Sequence, residues 1–95
     1  MQDKKDIFYG RISSDRKISE MKAVYRLFVE NYSVTNYEIM DALRSAGNWR
    51  NTKNQIRTVI DTLSDVLPIW VEEDVGMKWY GMLDTYQPIP ELEDG

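Results

Sequence analysis

The chain has 95 residues, 42% of them hydrophobic, with three Trp, six Tyr and two Phe, enough for one folded domain around one modest core. It contains neither cysteine nor histidine, which excludes disulfides, zinc sites built on Cys and His, thiol nucleophiles and His-based triads, and its formal net charge is −4. No apolar run approaches the roughly 18–20 residues of a membrane span, and no apolar stretch backs the polar residues 1–6, so a soluble, cytoplasmic protein without a signal peptide is expected.

Residues 1–18 read as an irregular arm, with Ile7, Phe8, Tyr9 and Ile12 interrupted by Gly10, and with Ser13, Ser14 and Asp15 as a turn. Ser19 is placed to cap a first helix, with Glu20 in its first turn where a negative charge suits the helix dipole. Met21, Val24, Tyr25 and Phe28 then recur at the spacing of one helical face, and the helix is expected to end near Asn31. Thr35, with Glu38 three positions on, forms a capping box for a second helix. Its inner face is Ile39, Leu43 and Ala46, and Gly47 stands where a left-handed stop would sit. Thr52 and Gln55 repeat the capping pattern before a third helix with Ile56, Val59, Ile60, Leu63 and Leu67 on one side and Pro68 as its stop.

Two β-like runs follow, residues 69–72 and 77–83, separated by turn residues 73–76, and together they predict a hairpin. Trp70, Trp79 and Tyr80 are expected to be packing residues within it. Residues 84–95 are acidic and contain two of the three prolines, the composition of a linker or frayed tail. The expected organisation is therefore an arm (1–18), a folded domain (19–83) and a tail (84–95).

Charge is unevenly spread. Residues 42–60 carry Arg44, Arg50, Lys53 and Arg57 with no acid, a net +4, whereas residues 61–74 carry a net −5. Phosphate binding depends on local potential, so the acidic average does not exclude a nucleic-acid partner.

The order helix, helix, tight turn, helix, hairpin over residues 19–83 resembles the winged helix-turn-helix family of DNA-binding domains. The resemblance implies a mainly α, α+β fold: three helices with a C-terminal β-hairpin wing, the third helix entering the major groove. With the apolar stripe turned inward, Lys53, Asn54, Arg57, Thr58 and Asp61 face outward, and Arg50 and Asn51 precede the helix. Arginine pairs with guanine O6 and N7, asparagine with adenine N6 and N7, and a lysine beside helix N-terminal amides suits a phosphate. The candidate DNA-binding set is Arg50, Asn51, Lys53, Asn54, Arg57, Thr58 and Tyr37. Tyr37 is either a phosphate donor or a staple against the core. Trp49 is more readily a core plug than a stacking residue, and Arg11, Arg16 and Lys17 are more readily ordinary surface charge than a minor-groove arm.

The expected partner is double-stranded DNA, bound as a transcription regulator or as the DNA-binding domain of a replication initiator, with a second copy matching a symmetric site. The wing departs from the family's pattern, because Glu72, Glu73 and Asp74 form its tip with only Lys78 following. Hence the alternative: a protein-interaction winged helix using the acidic wing and tail. Catalysis is not expected, since the one dense carboxylate group lies in a predicted turn, and no cofactor or metal is implied.

Overall fold

The computed structural model describes residues 15–46 and 52–93. Among these residues three α-helices pack around one core and carry a three-stranded antiparallel sheet, an α+β architecture. Helix α1 (Asp15–Glu30) buries Met21, Val24, Tyr25 and Phe28, the stripe seen in the sequence. It starts a turn earlier than expected: Asp15 belongs to the helix, and Ser19 lies inside it instead of capping it. Ile18 supplies the reason, since it stands one turn before Met21 on the same face and packs against the core, so helical continuation buries more apolar surface. At the other end the backbone N–H and the side-chain amide of Asn31 both donate to the Leu27 carbonyl at 3.0 Å.

Strand β1 (Val34–Thr35) leads directly into helix α2 (Asn36–Ser45). The capping box is formed as the sequence indicates: the Glu38 N–H donates to Thr35 Oγ1 at 3.2 Å, and the Thr35 N–H donates to Glu38 Oε1 at 3.1 Å. Ile39 and Leu43 are fully buried. The predicted stop at Gly47, together with Trp49, Arg50, Asn51 and residues 1–14, lies outside the described residues.

Helix α3 (Thr52–Ser64) buries Ile56, Val59, Ile60 and Leu63. Gln55 ties it to α1, its Nε2 donating to Glu20 Oε1 at 2.9 Å. The helix ends at Ser64, before the expected stop at Pro68. The Ser64 hydroxyl donates back to the Ile60 carbonyl at 2.7 Å, and the Val66 and Leu67 N–H groups both converge on the Leu63 carbonyl. This tightened turn lets Leu67 reach the core at 3% exposure, while the residue before Pro68 is released from helical geometry.

The hairpin comprises β2 (Ile69–Asp74) and β3 (Met77–Met82), and the strand order is β1-β3-β2. Its connection is two residues, shorter than the four expected, because Glu73 pairs with Lys78 and Asp74 with Met77 in the ladder. Val75 and Gly76 both adopt positive φ, 49° and 79°, the combination a two-residue turn needs to match strand twist. The pairs Val34 with Tyr80 and Thr35 with Trp79 attach β1 to the other side of β3.

Residues 84–93 correct the expectation of a linker or frayed tail. Ile89 and Leu92 are 7% and 4% exposed and belong to the core, joined by a single 3-10 turn (Pro90–Leu92). Tyr25 holds this segment from below: its hydroxyl donates to Glu93 Oε1 at 2.9 Å and accepts from the Ile89 N–H at 3.4 Å. Burial, aided by the Glu93 carboxylate and opposed by the Ile89 amide, pushes the Tyr25 phenol from the ordinary 10.0 up to about 12. Two prolines reduce the entropy lost when so short a strap is ordered.

Candidate nucleic-acid interface

Four side chains of α3, Asn54, Arg57, Thr58 and Asp61, follow the i, i+3, i+4, i+7 pattern and are all exposed. They stand opposite the buried stripe, so the packing of α3 against the core dictates which groups face outward. Thr62, the one buried polar residue among those described, satisfies its hydroxyl by donating to the Thr58 carbonyl one turn earlier at 2.8 Å.

The sheet extends the same face. Side chains alternate along a strand, and the register sets Val71 and Glu73 of β2 beside Lys78 and Tyr80 of β3. These four turn towards α3, and an open cleft separates them from Asn54, Arg57 and Asp61. Asn36, at the start of α2, also lines the cleft, and its Oδ1 accepts the Lys78 N–H at 3.4 Å. Ile56, Ile60 and Tyr80 contribute to the cleft lining. Burial and the nearby Glu73 carboxylate raise the Tyr80 phenol above its ordinary range, so it is neutral at physiological pH.

The electrostatics of the cleft are mixed: Arg57 and Lys78 face Asp61 and Glu73. Glu73 and Lys78 are directly opposed across the strands, so the wing's one cation is partly neutralised by its neighbour. Such a lining suits groups that read donors and acceptors along an edge better than it suits a purely anionic ligand.

The expected site is therefore assembled in part. Asn54, Arg57 and Thr58 share the exposed face of α3. Tyr37, 54% exposed on the first turn of α2, is not the core staple considered above and does not line the cleft. Arg50, Asn51 and the side chain of Lys53 lie outside the described residues. Asn36 was not singled out from the sequence, because its part in the cleft depends on β1 pairing with β3. Lys78 stands in the sequence as a lone cation, and strand alternation sets it with Tyr80 on the α3 side.

Among the described residues no group of three carboxylates, His or Cys can hold a metal ion, and every buried side-chain polar atom has a hydrogen-bond partner. No described helix is long and apolar enough to cross a membrane. Comparison with family models, curated proteins and solved structures gave no match.

Proposed function

We propose that the chain is a winged helix-turn-helix domain that binds double-stranded DNA in a sequence-dependent manner. In this reading α3 is offered to the major groove and the β2–β3 hairpin is the wing. The observation that carries it is the exposed stripe of Asn54, Arg57, Thr58 and Asp61, set opposite a fully packed apolar stripe, with its first three members inside the acid-free stretch of residues 42–60. Each member has base-edge chemistry: Arg57 for guanine, Asn54 for adenine, Thr58 for either, Asp61 for the cytosine amino group. The sheet order, with β1 from between α1 and α2 bracing the hairpin, supports the winged-helix reading.

The acidic wing tip is repelled by phosphate, so the wing in this account lies off the backbone and affinity comes from the α3 side. A transcription regulator or the address domain of a replication initiator fits such a module, acting in the cytoplasm without catalysis. A symmetric target would call for a second copy.

The test is fluorescence anisotropy on a random duplex pool at about 50 and 200 mM salt, followed by selection and sequencing of the bound fraction. Salt-sensitive binding that enriches one motif, and that Arg57→Ala weakens by about tenfold or more without loss of helical signal, is the expected result. Absence of binding at the lower salt would overturn the proposal.

A further inference from the structure

The face of the sheet turned away from α3 carries a different chemistry. Strand alternation sets Trp70, Glu72 and Asp74 of β2 on that side, and the register pairs them with Gly81, Trp79 and Met77 of β3. Trp70 lies across Gly81, where a Cβ would overlap its indole ring, so the glycine is what lets the indole lie flat on the sheet. Tyr32, from the loop before β1, adds a ring with its centroid 6.4 Å from that of Trp70, tilted by 51°, and is itself 91% exposed. Trp70 and Trp79 are only partly buried, and Glu72 and Asp74 are exposed beside them. The result is an aromatic shelf rimmed by carboxylates. Strand β2 is also an edge of the sheet, and its outer side is unpaired among the described residues.

We infer that this outer face of the sheet, formed by Tyr32, Trp70, Trp79, Glu72 and Asp74, is a docking surface for a basic peptide segment of a protein partner. The case for that occupant is charge complementarity. Indole and phenol faces attract guanidinium and ammonium groups, and carboxylates at the rim steer and pair them. An extended segment running beside β2 also gains backbone hydrogen bonds from the free edge. A single strand of nucleic acid would use the same rings for stacking, but its phosphates would meet Glu72 and Asp74, so the acids select against it. This surface lies on the opposite side of the sheet from the α3 cleft, so it goes beyond the DNA-binding reading and does not depend on it.

The experiment uses the full chain and a fluorescein-labelled peptide alternating Arg and Leu, followed by anisotropy, beside the same peptide with Glu replacing Arg. The Arg peptide is expected to bind and the Glu peptide to give no signal. The double substitution Glu72→Lys with Asp74→Lys should weaken binding by about tenfold or more, and Tyr32→Ala should weaken it severalfold. Asp61→Asn, on the other side of the sheet, should leave it unchanged. All four positions are exposed, and circular dichroism checks that each variant is folded. Equal binding of the Glu peptide, loss of binding on Asp61→Asn, indifference to both outer-face substitutions, or no binding of the Arg peptide would overturn the inference. Capture of a labelled single-stranded oligonucleotide in its place would do the same.

Discussion

Helix α3 hides Ile56, Val59, Ile60 and Leu63 beneath a polar outer face, whereas the β2–β3 hairpin buries Tyr80 as its only large side chain and leaves two tryptophans partly in solvent. The two elements are consecutive, yet their charge is opposite: α3 carries Lys53 and Arg57 against Asp61, a net +1, and the hairpin carries Glu72, Glu73 and Asp74 against Lys78, a net −2. The helix is held by packing against the core, and its exposed face is free to vary for recognition. The hairpin is held by its ladder, by the brace of β1 and by Tyr80, and both of its faces present chemistry. Stability and recognition are thus separated in α3 and mingled in the hairpin.

Core truncation gives the largest expected contrast. Leu63→Ala, at 0% exposure, should cost about 2–5 kcal/mol in urea unfolding, whereas Val71→Ala on the hairpin, 51% exposed, should cost under about 1 kcal/mol. Equal losses would break the comparison. The strap over α1 gives the next effect. With the Tyr25 phenol raised from 10.0 to about 12 in the folded chain, its contribution is complete below pH 10 and is lost as pH rises towards 12. Tyr25→Phe should start less stable at neutral pH and lack this alkaline step, which thermal unfolding across the pH range reads directly.

Recognition separates from stability in Arg57→Ala. Its guanidinium is exposed, so unfolding should shift by less than about 0.5 kcal/mol. Duplex affinity should fall by about tenfold or more, a cost of order 1–3 kcal/mol. The smallest effect concerns the wing tip. Val75 is 96% exposed with φ of 49°, a conformation costly for a β-branched side chain. Val75→Asn installs the Asn-Gly pair preferred in such turns and should raise stability by about 1 kcal/mol, measured as a higher Tm.

Helical periodicity made most of this architecture readable in advance, because Met21 to Phe28 and Ile56 to Leu63 each repeat a face that can be buried in only one way. The Thr35 box was equally legible, since its two hydrogen bonds are local. Features that depend on distant partners were not. The ends of α1 and α3 moved because Ile18 and Leu67 are drawn to the core, and composition alone concealed that Ile89 and Leu92 would pack on α1. At the candidate site, Asn54, Arg57 and Thr58 followed from helix geometry. Asn36 and the outer aromatic shelf required the β1-β3-β2 order, which is set by pairing across more than forty residues.

The most direct test of the central proposal is amide chemical-shift mapping of the isotope-labelled chain with a selected duplex. The expected result is that the perturbed amides cluster on Asn54, Arg57 and Thr58, along the exposed face of α3. Perturbations confined to Tyr32, Trp70 and Trp79, on the other side of the sheet, would contradict it.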